Sequence, residues 1–266
     1  MKLPIYIADA FSQRLFGGNP AAVCPLEQWL PDGLMQKLAA ENNLAETAFI
    51  VKEQAGYRIR WFTPAVEVKL CGHATLASAH IFFTELGYQG DELLLHSLSG
   101  ILKVTKKAEG MYTLDFPADK PAAVAFVPHG LLEGLGVANV EVYKTAFDYF
   151  VVLPNQQDVE AVSPDFKTLA TVEARGVIVT AKGRDQDFVS RFFGPQSGID
   201  EDPVTGSAHT SLVPYWAEKL GKTSLTAAQL SNRRGYLDCA LVADRVLMSG
   251  HVVTYMQGMY HVPVWE

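Results

Sequence analysis

The chain repeats itself, and the repeat limits the folds open to it. Tyr57, Arg60, Trp61, Phe62 and Pro64 recur as Phe188, Arg191, Phe192, Phe193 and Pro195, at an offset of 131 that is the difference between 188 and 57 and between 195 and 64. Leu38 and Ala39 match Leu169 and Ala170 at the same offset. Gly72, Ala74, Leu86 and Gly87 match Gly206, Ala208, Leu220 and Gly221 at 134, so three residues are inserted between Pro195 and Gly206, within the acidic stretch Ser197 to Thr205. A unit of about half the chain is far longer than a solenoid period, which predicts two similar α/β lobes with a cleft at their seam.

Composition narrows the function. An apolar fraction of 48% in 266 residues is enough for two cores. A net charge of −7 opposes a polyanion partner, since nucleic-acid binding needs a basic face. Pro4 and Asp9 interrupt Leu3, Ile5, Tyr6 and Ile7, so the first residues read as a strand and not a signal peptide, and a cytoplasmic protein is expected. No run approaches the roughly 20 apolar residues of a membrane helix. Cys24, Cys71 and Cys239 are far apart and odd in number, as free thiols in a reducing compartment would be.

Periodicity predicts strands over Leu3 to Phe11 and Ala21 to Cys24, joined by the turn Phe16-Gly17-Gly18-Asn19-Pro20, whose backbone can aim amides at a ligand. A helix is expected from Asp32 to Asn42, then strands near Thr47 to Lys52 and Tyr57 to Phe62. The segment Gly72 to Leu86 is apolar nearly all round and should be a buried helix, with Gly206 to Leu220 as its partner. Leu93 to Phe116 and Leu225 to Tyr260 read as short alternating strands. The expected lobes are 1–116 and 119–250, with a final strand at about 252–264 possibly returning to the first lobe.

Both buried helices begin with small residues, Cys71-Gly72-His73-Ala74-Thr75 and Thr205-Gly206-Ser207-Ala208. A helix start offers unpaired amides and partial positive charge, so two of them facing one cleft would hold a carboxylate without any arginine. As plain N-caps, with Thr205 or Ser207 satisfying the helix, they would need no ligand; their duplication favours the site. Glu46 heads a strand among apolar neighbours, and at offset 131 its counterpart is Val177. A carboxyl in such surroundings tends to keep its proton and suits acid/base work, although a solvent-facing glutamate is the simpler alternative. His73 at a helix start should be neutral, either in the site or as a buried structural histidine. Glu201 is read as favouring the helix dipole, and Asp202, carried by the insertion, as a site residue. His73 and His80 are too far apart to share a metal ion, and no metal-ligand or nucleotide-binding signature is present. Tyr215 and Trp216 are read as core.

Taken in order, Asp9-Ala10-Phe11, Gly18-Asn19-Pro20-Ala21, Asn43-Leu44-Ala45-Glu46-Thr47, Arg60-Trp61-Phe62-Thr63-Pro64, Cys71-Gly72-His73-Ala74-Thr75 and Asp200-Glu201-Asp202-Pro203-Val204-Thr205-Gly206-Ser207-Ala208 resemble the PhzF-like phenazine-biosynthesis family, relatives of diaminopimelate epimerase and proline racemase. The resemblance implies a mixed α/β (α+β) fold of two pseudo-twofold-related lobes, each a curled sheet or barrel around a central helix, usually as a homodimer. It implies cofactor-free isomerisation of a small anionic metabolite, with Glu46, His73, Asp202 and Ser207 catalytic. Asn19, Gly72, His73, Ala74, Thr205, Gly206 and Ser207 would bind the substrate, and no metal is implied. Cys71 stands where the first of the epimerases' two cysteines would be, whereas the second helix start has Asp202-Pro203 instead. A racemase using Cys71 with a non-thiol base, a lyase or hydrolase using the same acid/base, and a non-catalytic acid-binding protein remain as alternatives.

Overall fold

The computed structural model describes residues 1–54, 56–108 and 110–262, so positions 263 and 264 of the expected final strand lie outside the described residues. The chain passes from one compact unit to another between Asp115 and Phe116 and back between Met248 and Ser249.

The first unit runs β1 (Lys2–Ala10), β2 (Asn19–Leu26), α1 (Asp32–Asn42), β3 (Glu46–Glu53), β4 (Gly56–Phe62), β5 (Glu67–Val68), α2 (Gly72–Thr84), β6 (Glu92–Ser97), β7 (Gly100–Ala108) and β8 (Met111–Pro117). β1 pairs with β2, β2 runs parallel to β3, β3 pairs with β4, β4 runs parallel to β6, and β6, β7 and β8 follow as antiparallel neighbours. The strand β17 (Arg245–His261) pairs with both β8 and β1, which closes eight strands into a barrel. α2 packs on β1, β2, β3 and β7. It carries no charge, and every residue from Gly72 to Phe82 is buried. Burying Leu76, Ile81 and Phe82 contributes on the order of 1.5–3 kcal/mol each. α1 covers the outer face, where Leu34, Met35 and Ala39 meet Ala22, Cys24, Phe49 and Phe62. β2 and β3 are therefore covered on both faces and read as continuous apolar runs, while β6 and β7 alternate.

The second unit contains β9 (Ala122–Ala123), α3 (Leu131–Leu135), β10 (Glu141–Lys144), β11 (Asp148–Val152), α4 (Gln156–Ala161), α5 (Phe166–Leu169), β12 (Gly176–Lys182), β13 (Phe188–Gly194), β14 (Ile199–Asp202), α6 (Gly206–Leu220), β15 (Ser224–Gln229) and β16 (Gly235–Val242). It repeats the first: β11 runs parallel to β12, β12 pairs with β13, β13 runs parallel to β15, and β15 pairs with β16. α6 packs on β15 and β16. The short helices α3, α4 and α5, which hydrophobic periodicity does not announce, pack Leu131, Leu135, Val159 and Leu169 against Val151, Val177 and Val179. Asn155 and Asp165 accept the first amides of α4 and α5, which helps turns this short to hold.

Two local features show the two copies obeying the same physics. Arg60 forks Glu67 at 2.7 Å through both Nε and Nη2, and Arg191 forks Glu201 at 2.7 and 2.9 Å. Glu201 is thus the partner of Arg191, a correction to its reading as a helix-dipole acid. Thr75 donates its hydroxyl to the Cys71 carbonyl, and at the equivalent position in α6 the His209 Nδ1 lies 2.9 Å from the Thr205 carbonyl oxygen. α6 also contains Pro214, which has no N–H to give to Thr210; that carbonyl instead accepts the Asp119 amide at 3.0 Å. α2 stops at Thr84, two residues before the expected Leu86, because the Glu85 and Leu86 amides both turn back to the Ile81 carbonyl.

Strand register corrects the counterpart of Glu46. Thr47 lies opposite Phe62, and Val177 lies opposite Phe193. Since Phe62 and Phe193 are equivalent, Thr47 answers to Val177 and Glu46 to Gly176. A Cβ on Gly176 would come within 2.1 Å of the Phe192 ring, so no side chain fits there.

Candidate active site

In the first unit the parallel pair β2–β3 and the start of α2 bring four sequence-predicted or candidate residues together. Glu46 is the first residue of β3 and His73 the second of α2, and His73 Nε2 lies 3.2 Å from Glu46 Oε2. His73 is 5% exposed and Glu46 14%, so the pair is shielded without being sealed from a small molecule. Asn19, at the start of β2, is fully buried and its Nδ2 lies 3.1 Å from His73 Nδ1. An amide N–H donates, so Nδ1 accepts from Asn19, and the ring hydrogen of a neutral His73 belongs on Nε2, the nitrogen nearer Glu46. Cys71, the N-cap of α2, places its Sγ 3.5 Å from the same Nδ1. Glu46, Cys71 and His73 offer ligand atoms that all lie within 4.8 Å of one another, a spacing that a metal ion could also use. The hydrogen-bonded arrangement puts Glu46 and Cys71 on opposite nitrogens of the ring.

The loop leading to Asn19 is held firmly. Asp9 is buried, and its Oδ2 accepts the Phe16 amide at 2.8 Å. Gly18 has φ +63°, and a Cβ there would strike the Ala10 carbonyl oxygen at 2.0 Å.

In the second unit the residues from Asp202 to Ser207 are strapped to the end of β15. Thr205 donates its hydroxyl to Asp202 Oδ2 at 2.5 Å instead of capping α6. Gln229 is fully buried; its Oε1 accepts the Thr205 amide at 2.8 Å, and its Nε2 donates to the Asp202 carbonyl at 2.7 Å and to Thr205 Oγ1 at 3.2 Å. Ser231 donates to the Pro203 carbonyl at 2.8 Å. Neither Cys71 nor Thr205 closes its helix with a side-chain hydrogen bond.

Ser207 departs from expectation. Arg175, just before β12, donates from Nη1 to Ser207 Oγ at 2.8 Å, so this helix start is not free of arginine. The guanidinium also forks the buried Asp148, through Nε at 2.8 Å and through Nη2, and lies 5.5 and 5.6 Å from the Phe147 and Phe192 ring centres. Burial pushes the Asp148 carboxyl up, and Arg175 pulls it back. Sequence reasoning missed Arg175, Asp148 and Gln229.

Among the cysteines, burial pushes Cys24 up to about 12 and raises Cys239 as well, which makes both poor nucleophiles. No helix among the described residues is long and apolar enough to cross a membrane.

A model of the family described as phenazine biosynthesis-like protein, PhzC-PhzF, matches residues 8–258. An uncharacterized isomerase of Pseudomonas aeruginosa is 50% identical over 262 residues, 98% of this chain and 100% of that protein. The phenazine biosynthesis-like domain-containing protein of Homo sapiens is 40% identical over 285 residues, 97% of this chain and 99% of its own. The crystal structure of a PhzF-family phenazine biosynthesis protein from Enterococcus faecalis superposes with a TM-score of 0.94 at 46% identity, covering 98% of this chain and 100% of that one. A probable proline racemase from Agrobacterium radiobacter, 9% identical with a TM-score of 0.64 over 98% of this chain and 93% of its own, shares the epimerase-like fold.

Proposed function

The chain belongs to the PhzC-PhzF family of phenazine biosynthesis-like proteins, several of which are named isomerases, and we propose that it isomerises a small carboxylate-bearing amino or hydroxy acid by moving a proton without a cofactor. The observation that carries this reading is the shielded Glu46–His73 pair. Glu46 as carboxylate takes a proton from a substrate carbon and returns it to another, so the bond broken and the bond formed are both C–H and no redox partner is needed. His73, whose Nδ1 accepts from Asn19 Nδ2, places its Nε2 3.2 Å from the carboxylate that carries the proton. The resemblance assigns Asp202 and Ser207 to positioning the substrate, and each unit by itself offers an uncapped helix start suited to a carboxylate, with the amides of Gly72 and His73 in the first and of Gly206 and Ser207 in the second.

The test is incubation in deuterated water with a panel of small carboxylic acids, followed by mass spectrometry. Enzyme-dependent uptake that disappears in Glu46→Gln supports the proposal; uptake undiminished in Glu46→Gln refutes the role of Glu46. A second reading has Cys71 as one base of a racemase, favoured by its 3.5 Å approach to His73 Nδ1. A Cys71→Ala protein with full activity removes it.

A further inference from the structure

Glu46 and Thr47 are neighbours at the head of β3, so their side chains leave opposite faces of the strand. Glu46 faces His73. Thr47 is buried on the other face, the one that Phe49 and Val51 present to Leu34 and Met35 of α1. There Asn42, the last residue of α1, donates from Nδ2 to Thr47 Oγ1 at 2.8 Å. The Asn42 amide is held in turn by Tyr260 of β17, whose hydroxyl donates to Oδ1 at 2.9 Å and lies 2.7 Å from Nδ2. The buried Cys24 of β2 places its Sγ 3.6 Å from the same hydroxyl. Only Asn43, Leu44 and Ala45 separate α1 from Glu46, and Asn43 turns the chain in a left-handed conformation at φ 50°. The bond from Asn42 closes this short connection directly behind the residue that carries the carboxyl.

The second unit keeps the frame and lacks the clamp. Val177 answers to Thr47 and has no hydroxyl, Glu173 at offset 131 from Asn42 is exposed, and Gly176 stands in the place of Glu46. The frame therefore packs without this bond, and in the two copies the bond and the carboxyl are present together or missing together. We infer that Asn42, Thr47 and Tyr260 are positioning residues: their bonds on the outer face of β3 fix where Glu46 stands against His73 on the inner face. The inference rests on the proton-transfer reading above and deepens it. A carboxyl that must meet a substrate carbon loses rate steeply with displacement, so freeing the head of the strand predicts a kcat about tenfold lower with KM little changed.

The first readout needs no substrate. In long-range proton–nitrogen NMR spectra of the whole protein, the His73 Nε2 resonance, assigned by its loss in His73→Gln, reports the carboxyl beside it. Asn42→Ala and Thr47→Val should each move that resonance, and the double variant should move it no further than Asn42→Ala, which already removes the bond that Thr47→Val breaks. Tyr260→Phe should move it in the same direction, and Thr47→Ser, which keeps the hydroxyl, should leave it in place. Val51→Ala loosens packing on the same face of the same strand without touching the clamp, and should not move it. A resonance unmoved in both Asn42→Ala and Thr47→Val overturns the inference, as does one that Val51→Ala moves as far. Thr47→Val alone decides where Asn42→Ala does not fold. On any acid of the panel that takes up deuterium, kcat should fall about tenfold in Thr47→Val and return in Thr47→Ser; an unchanged kcat in Thr47→Val overturns the inference even where the resonance moves. Loss of uptake in Glu46→Gln is read separately, so an inference that fails while that loss persists leaves the isomerase proposal standing.

Discussion

Acidification should open the second unit from its central helix, and the size of the effect follows from two histidines. His209 lies on α6 with its Nδ1 on the Thr205 carbonyl and its ring beside Phe188, fully buried. Burial drives its titration down to about 4. Its Nε2 has no hydrogen-bond partner among the described residues, so a second proton there has nothing to donate to. His80 on α2, between Tyr112 and Thr254, is likewise lowered by burial to about 4.

An unfolded histidine titrates near 6.5. The native state therefore binds these protons less well than the unfolded chain does. Their stabilisation is complete above pH 6.5, declines between 6.5 and about 4, and is gone below that. At 1.36 kcal/mol per pH unit the full gap is about 3 kcal/mol for each, large against a total stability of roughly 5–15 kcal/mol. Between pH 6 and pH 5, above most carboxylate titrations, each should remove about 1.2 kcal/mol. Urea unfolding followed by tryptophan fluorescence, to which Trp216 stacked on Phe188 contributes, measures this. His209→Gln keeps a donor for the Thr205 carbonyl without the titration and should halve the pH slope. An unchanged slope in both His209→Gln and His80→Gln would show that the two imidazoles are not the acid-sensitive groups.

Four further outcomes are expected. Glu46→Gln should lower turnover about a hundredfold or more while substrate binding survives, as loss of a general acid/base does, measured on whichever acid takes up deuterium. Glu201→Ala should cost about 2–3 kcal/mol in urea unfolding, because Arg191 and Glu201 are only 12% and 20% exposed and form a two-bond fork. Glu92→Ala, which breaks a Glu92–Lys103 pair half open to water, should cost under about 0.5 kcal/mol; equal losses would refute the distinction. Gly176→Ala should cost about 1–3 kcal/mol by driving a methyl into the Phe192 ring, with much of the loss recovered on adding Phe192→Leu.

Helices α1 and α6 begin and end where periodicity puts them, because each has a clear stop: Asn43 and Gly221 adopt left-handed conformations at the C-caps. The repeat is legible because Arg60 and Arg191 sit in similar local sequence, an arginine followed by two aromatic residues and, four residues on, a proline. Their partners were harder to see. Glu67 and Glu201 share the offset of 134, but Glu201 stands near a helix start, and a local dipole argument captured it before the cross-strand fork could. Arg175 and Asp148 are 27 residues apart and meet only because β11 lies parallel to β12, a pairing no local pattern announces. The counterpart of Glu46 was misassigned by one residue, and in a strand one residue reverses the facing side.

The corrected register shows where two copies of one frame differ. Glycine helix starts, arginine forks and the back-bond at Thr75 and His209 are common to both, so the scaffold is shared. The differences lie at a few equivalent positions. Where the first unit has Glu46 the second has Gly176, whose Cβ space the Phe192 ring fills; where the first has His73 the second has Ser207, held by Arg175. A carboxylate at 176 would displace that ring and would also stand beside Arg175 in competition with Asp148. The second copy therefore cannot gain a carboxyl at that position by one substitution, and the ring that excludes it also forms an aromatic wall for the guanidinium that donates to Ser207 Oγ.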